Sequence, residues 1–274
     1  SLGKFRLEGD QAVAVDQIPP PPTPPPLADG RTFRMADAAE QTHRHLEINS
    51  PDGSSRTFEL GYQAGGSRIF YLHAGPDQCL YGSSILPLHL FRHNPKDGEL
   101  IDLGRCSSAT GEAYSMANHQ GRLFISSYPQ AKISVYDPSQ GYHYGEEPGA
   151  NPRDLGRIDT ISYRPRSTLA GPLGRVWTAS LPDYGQWGGP LSWYDPEHDE
   201  KGAYYRICGD ASCYTLAWLE QLGLLAVGTS IHGGTGTEPK VDRAQLFLWD
   251  YAQEEIIWEG SPDQAPSVFN ALVT

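Results

Sequence analysis

The residues of this sequence that could do chemistry are aromatic, cationic and acidic side chains that recur between short apolar segments. Tyrosine and tryptophan stand there beside arginine, lysine and histidine, with a few carboxylates among them. Aromatic rings pack against the faces of sugar rings, and a guanidinium binds a carboxylate through paired hydrogen bonds. The combination therefore favours an anionic oligosaccharide or polysaccharide as the ligand. The candidate residues are His89, Glu112, Tyr128, Lys132, Arg164, Arg166, Asp183, Tyr184, Trp187, His232 and Glu238.

A sequence pattern that occurs four times predicts the elements that position these residues. Each copy has an apolar segment that ends in Ser, a loop, and a second apolar segment that leads into an Asn or Asp turn. The first segments are 80–84, 123–127, 176–180 and 226–230, and the second are 90–95, 133–138, 191–196 and 246–251. With one strand before and one after, each copy makes a four-stranded antiparallel sheet at blade-sized spacing. The sequence therefore predicts an all-β fold, a β-propeller of four-stranded antiparallel blades.

The two ends of the chain fit the pattern less closely. Residues 31–36, 45–50 and 56–60 are predicted as three strands of an earlier blade, 4–15 as an outer hairpin, and 267–273 as the first strand of a further blade. About five blades are present in whole or in part, which suggests a piece, truncated at both ends, of a propeller with six to eight. We predict one domain over 1–274, with the proline-rich run 19–26 as a stiff connection between blades rather than a ligand for another protein.

Strand alternation predicts which face of the propeller carries the site. In an antiparallel blade, the loops between the second and third strands lie on one face, together with the connections to the next blade. The second-to-third loops lengthen along the chain, whereas the turns on the opposite face stay short. Long loops on a rigid scaffold are where binding residues usually lie. The candidate residues belong to that face.

Several candidates have a structural interpretation beside the functional one. His232 precedes the glycine-rich stretch 233–236, whose glycines either allow close approach of a ligand or serve a long turn. Tyr128 is either a site residue or a packing residue that the repeat requires, and His89 is equally a half-exposed strand residue. Both interpretations stay open for each of the three.

Arg164 and Arg166 flank Pro165 at the start of an inner strand. There they either point toward the central channel or pair with Asp159, and we favour the channel.

Charge and composition exclude several other functions. The net charge is −12, and nucleic-acid binding needs a basic surface, so no nucleic-acid partner is expected. No apolar run approaches the length of a membrane span. The glycines at 233–236 lack the Lys-Ser/Thr ending of a phosphate loop, and neither a nucleophile elbow nor a metal-ligand spacing is present. We predict no metal and no cofactor.

Two cysteines, Cys208 and Cys213, bracket a short turn. They are either small core side chains, which we favour, or a disulfide if the protein is exported.

Six motifs carry a resemblance to known propellers: LYGSS at 80–84, LFRHNP at 90–95, GEAYS at 111–115, SYP at 127–129, YDP at 136–138 and GTSIHGGTGTEP at 228–239. Over residues 68–260 the chain resembles a bacterial and fungal group of secreted-type, WD40-like β-propellers. It is more distantly similar to seven-bladed propeller polysaccharide lyases, including rhamnose–glucuronate lyases. The resemblance implies an extracellular or periplasmic location and cleavage beside a uronic acid by β-elimination.

The lyase resemblance implies catalytic roles for the candidates. Arg164 or Arg166 would neutralise the uronate carboxylate, His232 or His89 would act as the base, and Tyr128 or Tyr184 as the acid. The substrate would also contact Trp187, Lys132, Glu112 and Glu238.

Two alternatives remain beside the lyase. A non-catalytic propeller that binds a ligand or a protein needs none of these catalytic roles. A glycoside hydrolase would use a pair of carboxylates, for which Glu112, Asp183 and Glu238 are available.

Overall fold

The computed structural model describes residues 5–8, 11–14, 26–36, 43–61, 69–263 and 265–272. The chain divides into two compact units, Ser1–Gly65 and Gly66–Thr274, and each is described by itself. Every ladder between strands is antiparallel, and the only helical segments in the described ranges are two short 3₁₀ turns, Pro172–Gly174 and Glu220–Leu222. No helix in those ranges is both long and apolar enough to cross a bilayer.

The first unit contains a hairpin and a three-stranded sheet. The hairpin pairs β1 (Phe5–Glu8) with β2 (Gln11–Ala14), and the sheet has the order β3 (Thr32–Ala36), β4 (His43–Asn49), β5 (Ser55–Gly61). The strands predicted at 4–15, 31–36, 45–50 and 56–60 are therefore confirmed. Residues 19–25 of the proline-rich run lie outside the described residues. That both units form one propeller domain stays a prediction.

The second unit contains four sheets of four strands, each in sequence order. Blade 1 has β6 (Ile69–Ala74), β7 (Leu80–Ser84), β8 (Leu90–His93) and β9 (Leu100–Gly104). Blade 2 has β10 (Ala113–His119), β11 (Arg122–Ser127), β12 (Lys132–Tyr136) and β13 (Arg153–Arg157). Blade 3 has β14 (Ser162–Ala170), β15 (Val176–Pro182), β16 (Leu191–Asp195) and β17 (Glu200–Tyr204). Blade 4 has β18 (Ser212–Leu219), β19 (Leu224–Ser230), β20 (Leu246–Asp250) and β21 (Glu255–Gly260).

The first strands of neighbouring blades lie side by side, so that β6, β10, β14 and β18 form the inner row of the unit. This arrangement confirms the predicted fold, an all-β propeller of four-stranded antiparallel blades. The predicted strand at 267–273 differs from the structure. It makes only an isolated bridge between Ser230 and Val268, supported by backbone hydrogen bonds to the end of β19.

Apolar clusters between successive blades form the core. Strand β11 shows how they arise, because alternate side chains of a strand point to opposite faces of its sheet. Leu123 and Ile125 belong to the cluster shared with blade 1, whereas Phe124 belongs to the cluster shared with blade 3. On strand β15, Val176 packs toward blade 2 and Trp177 packs toward blade 4. The central strands are therefore buried on both faces, with serine and threonine at several of the buried positions.

The turns between the third and fourth strands have the predicted chemistry. The side-chain Oδ1 of Asn94, Asp137, Asp195 and Asp250 each accepts a hydrogen bond from the backbone N–H two residues further on, at 2.9–3.0 Å. Such Asx turns fix the reversal of the chain without help from neighbouring loops. These connections are short in blades 1, 3 and 4, as predicted. The prediction was wrong for blade 2, whose connection runs over 137–152 and returns so that Asn151 hydrogen-bonds to the backbone of Asp137.

Cys208 and Cys213 are free thiols, with 3.9 Å between their sulfur atoms. Cys213 is buried in the cluster between blades 3 and 4, and Cys208 packs against that cluster. The core interpretation of the two cysteines agrees with this packing.

Two leucines test how much the core between blades contributes to stability. Leu225 is fully buried between blades 3 and 4, whereas Leu222 is 67 % exposed. We expect Leu225→Ala to lower the free energy of unfolding by about 2–5 kcal/mol, and Leu222→Ala to change it by less than about 0.5 kcal/mol. Urea unfolding followed by tryptophan fluorescence measures both, because all six tryptophans lie in the second unit. Equal effects of the two substitutions would contradict this assignment of the core.

Candidate functional site

Every inner strand of the second unit carries a β-bulge, and each bulged residue is aromatic or an arginine. The ladder between β6 and β7 skips Phe70, and the ladder between β10 and β11 skips Tyr114. The ladder between β14 and β15 skips Tyr163 and Arg166, and the ladder between β18 and β19 skips Tyr214. A bulge leaves its extra residue out of the pairing and redirects the side chain. The bulges therefore bring one such side chain from each blade to the inner row.

Four of these side chains form a continuous row across the four blades. The Phe70 and Tyr114 ring centroids are 4.9 Å apart. The guanidinium carbon of Arg166 lies 5.0 Å from the Tyr114 centroid and 4.8 Å from that of Tyr214. Arg166 is thus held between two rings of neighbouring blades by cation–π contacts.

Arg164 is the centre of a second layer, built from the loops. Its guanidinium carbon lies 5.1 Å from the ring centroid of Tyr128, 5.9 Å from that of Tyr163 and 5.7 Å from that of Tyr184. The hydroxyls of Tyr128 and Tyr184 are 3.2 Å apart. The Tyr114 and Tyr128 centroids, 5.9 Å apart, connect this layer to the inner row. We call the whole group the arginine–tyrosine cluster: Tyr114, Tyr128, Tyr163, Arg164, Arg166, Tyr184 and Tyr214.

The loops between the second and third strands of blades 2, 3 and 4 meet at this cluster, as strand alternation predicts. Tyr128 and Tyr184 come from the loops after β11 and β15, and Arg164 Nη1 donates a 2.8 Å hydrogen bond to Thr235 Oγ1 in the loop after β19. Neither arginine pairs with Asp159, whose carboxylate accepts hydrogen bonds from the backbone of Ile161 and the hydroxyl of Ser192.

The glycines after His232 serve the contact between two loops. Gly234 N donates to Gln186 O at 2.8 Å, and Gly185 N donates to Thr235 O at 3.0 Å. A Cβ on Gly234 would lie 1.8 Å from the carbonyl oxygen of Asp183. Of the two interpretations of this stretch, close backbone packing is therefore the one that the contacts support.

The tyrosine pair and a nearby glutamate have perturbed acidities. The hydrogen bond with Tyr184 raises the pKa of Tyr128 to about 12, whereas the same hydrogen bond, with Arg164 beside it, lowers the pKa of Tyr184. Burial raises the pKa of Glu112, opposed by a hydrogen bond with Tyr114 and by the charge of Arg164. The cluster therefore holds two hydroxyls of different acidity beside a cation.

Of the predicted site residues, the structure brings together Arg164, Arg166, Tyr128, Tyr184 and Glu112. It does not bring the two histidines to them. His89 is the residue before β8 rather than a strand residue, and its Nδ1 lies 3.0 Å from Asp102 Oδ2 on the outer strand β9. His232 is exposed, and its hydrogen bonds among the described residues are made by its backbone.

Three further candidates have other contacts. Lys132 Nζ donates a 3.0 Å hydrogen bond to Ser108 Oγ, between blades 1 and 2. Trp187 Nε1 donates to the backbone oxygen of Glu238 at 2.8 Å, and Lys240 Nζ lies 3.5 Å from the Trp187 ring centroid. One face of the Trp187 ring is therefore covered by a lysine.

Sequence reasoning missed the bulged aromatic residues as site residues. A signal was present, because Tyr114, Tyr163 and Tyr214 each follow a small residue at the start of an inner strand, in the segments AYS, SYR and CYT. Among the described residues, no group of three or more His, Cys, Asp or Glu side chains is arranged to hold a metal ion.

No protein-family model matches the sequence, and no curated protein matches it. Solved structures share the fold. Hydrazine synthase of Kuenenia stuttgartiensis is 14 % identical with a TM-score of 0.52, over 76 % of this chain and 53 % of that one. Virginiamycin B lyase from Staphylococcus aureus is 11 % identical with a TM-score of 0.52, over 92 % and 74 %. A mitotic checkpoint complex is 12 % identical with a TM-score of 0.50, over 85 % and 62 %.

These similarities define the class of the chain, a β-propeller, and at such identities they define the fold alone. The chain spans 53 % of the hydrazine synthase chain and 62 % of the checkpoint chain that it matches. None of the three is a polysaccharide lyase, so the lyase resemblance stays a prediction.

The charge of Arg164 should be measurable in the acidity of the surrounding tyrosines. We expect Arg164→Gln to move part of the alkaline tyrosine titration to higher pH, because the phenolate form loses a neighbouring cation. Ultraviolet absorbance of the phenolates against pH measures the shift. Arg56→Gln is the matched control, since Arg56 lies 5.1 Å from the centroid of a phenylalanine, Phe58. Identical titrations of the two variants would contradict the geometry around Arg164.

Proposed function

We propose that this propeller binds an anionic saccharide, a chain that contains uronic acid, at the arginine–tyrosine cluster. The observation that carries the proposal is the environment of the two arginines. Arg164 and Arg166 are held by tyrosine rings and by the hydroxyl of Thr235, and neither forms an ion pair within the described residues. Carboxylates are abundant in a chain with a net charge of −12, yet neither guanidinium group is paired with one in the described part of the chain. Both groups are therefore available to a carboxylate of a ligand.

The tyrosines around the arginines suit a sugar. Tyr184 is 48 % exposed, and its ring contacts Tyr163 with 4.8 Å between centroids. Rings that are packed on one side and open on the other offer a flat apolar surface to a sugar ring, and their hydroxyls can hydrogen-bond to it. The guanidinium would bind the uronate carboxylate, and the rings would select a pyranose rather than a small acid.

Substitution of either arginine should weaken binding of a uronate oligosaccharide. We expect Arg164→Gln and Arg166→Gln each to lower affinity about ten- to a hundredfold, because a charged hydrogen bond contributes about 1.5–3 kcal/mol. Isothermal titration calorimetry with glucuronate- and galacturonate-containing oligosaccharides measures this. Arg56→Gln is the control variant, and neutral oligosaccharides of the same length are the control ligands. Equal affinity of wild type and both site variants would overturn the proposal.

Cleavage by β-elimination is a second candidate function, favoured by the Tyr128–Tyr184 pair beneath Arg164. In this reaction a cation neutralises the carboxylate, a base removes the proton from C5, and the C4–O4 bond breaks as the C4–C5 double bond forms. Tyr184, with its lowered pKa, suits the base, and Tyr128, with its raised pKa, suits the acid that protonates O4. His232 and His89 are not among the contacts of Arg164, so the base is assigned to Tyr184 instead.

Elimination predicts an unsaturated uronate product that absorbs in the ultraviolet. We expect the wild type to produce this absorbance from its uronate ligand, and Tyr184→Phe and Tyr128→Phe to lose it while they keep binding. Tyr205→Phe is the control, because Tyr205 is an exposed tyrosine whose hydroxyl bonds to Thr160 outside the cluster. Binding of the uronate ligand without this absorbance would indicate that the propeller binds the saccharide without cleaving it by elimination. New reducing ends without absorbance would favour the glycoside hydrolase instead.

A further inference from the structure

A polar groove of about 730 Å³ lies on the outer side of blades 2 and 3, away from the inner row. Its walls are the outer strand β13 and residues at and before the outer strand β17, and the start of β12 closes one end. Four cationic side chains line it, namely Lys132, Arg153, Arg157 and Lys201, with three acidic ones, Glu146, Asp154 and Asp199.

Two of the three carboxylates are already engaged by the protein. Asp154 is 4 % exposed, and its oxygens accept hydrogen bonds from Ser108 N, Gly156 N and the Tyr144 hydroxyl. Asp199 pairs with Arg153 at 2.8 Å and accepts the Tyr194 hydroxyl at 2.8 Å. Glu146 is exposed. With four cationic and three acidic side chains, the groove keeps an excess of positive charge.

Lys132 and Lys201 have only neutral acceptors among the described residues. Lys132 Nζ donates to the backbone oxygen and hydroxyl of Ser108, and Lys201 Nζ donates to the backbone oxygens of Leu155 and Arg157. An ammonium has three protons, so each lysine keeps one for a ligand. Burial lowers the pKa of Lys201, as expected for an ammonium that has lost water without gaining a bonded carboxylate.

The arginines of β13 add positive charge to the groove. Arg153 Nε and Arg157 Nε are buried and have no hydrogen-bond partner. Arg157 Nη2 is 3.8 Å from Asp183 Oδ2, a distance too long for a hydrogen bond. Arg157 Nη2 donates instead to the backbone oxygens of Thr160 and Ser162, so the two guanidinium groups line the groove as positive charges.

We propose that this groove is an anion site separate from the arginine–tyrosine cluster, and that it takes a phosphate or sulfate group. Two ammonium groups, each with one unused proton, and two guanidinium groups along the same wall match the several oxygens of a tetrahedral oxyanion better than the two of a carboxylate. The groove is also open and large enough for the molecule that carries the group.

Titration with inorganic phosphate, followed by calorimetry and by ³¹P line broadening, tests the site. We expect saturable binding to the full chain, weakened about tenfold or more by Lys132→Met and by Lys201→Met, because each removes a charged hydrogen bond. Lys96→Met, in an exposed turn, is the matched control and should bind like the wild type. Since Lys201 also joins two blades, urea unfolding of each variant accompanies the titration, and Lys132→Met decides the matter if Lys201→Met does not fold.

Three outcomes would overturn the proposal: no saturable phosphate binding by the wild type, phosphate binding by both lysine variants that equals that of the wild type, or loss of phosphate binding in Arg164→Gln. The last result would move the phosphate to the arginine–tyrosine cluster. The affinities for sulfate, O-phosphoserine and glucose 6-phosphate then distinguish the source of the group, because the ligand that binds most tightly identifies the kind of molecule that carries it. This test is independent of the uronate experiments.

Discussion

Each central strand of blades 2 and 3 has to bury side chains on both faces, because each of these two blades is packed between two others. Strand β11 divides its apolar residues in this way, with Leu123 and Ile125 toward blade 1 and Phe124 toward blade 3. Trp177 is fully buried between blades 3 and 4 by the same rule. Face-to-face burial fixes the distance between neighbouring blades, and with it the distance between side chains on neighbouring inner strands. The site depends on that distance.

The inner strands use this fixed spacing to bring together groups that are far apart in sequence. Arg166 contacts rings from the blades on either side of its own, which requires the β-bulges that turn these side chains out of the regular alternation. Regular pleating would leave Tyr114 and Tyr214 paired within their own sheets. The bulges thus place one side chain from each blade in a row, with Arg166 between two tyrosine rings.

Much of the fold could be predicted from the sequence, because apolar strands and Asx turns are local signals. The Asp137 turn and the strand before it, β12, follow directly from their residues, whereas the long connection from there to β13 did not. The set of loops that share one face could also be predicted, because it depends only on the alternation of antiparallel strands. Placing the loops on one face identified four residues that do lie together in the structure, namely Arg164, Arg166, Tyr128 and Tyr184.

The other half of the site could not be predicted in this way. A bulge depends on the pairing between two strands, and a small residue before a tyrosine does not by itself specify one, so the alignment of Tyr114 with Arg166 could not be predicted. The positions of His89 and Lys132 depend on partners in the outer strands and in neighbouring blades, Asp102 and Ser108, which no local pattern specifies. Long-range side-chain pairing was the missing information.

The backbone contact between the loops after β15 and β19 has a consequence for how this rim could diversify. Gly234 leaves no room for a side chain against Asp183, and the two loops exchange hydrogen bonds through Gly185 and Gln186. An insertion in one loop would have to be matched in the other. A change of binding specificity at this rim would therefore require both loops to be replaced together.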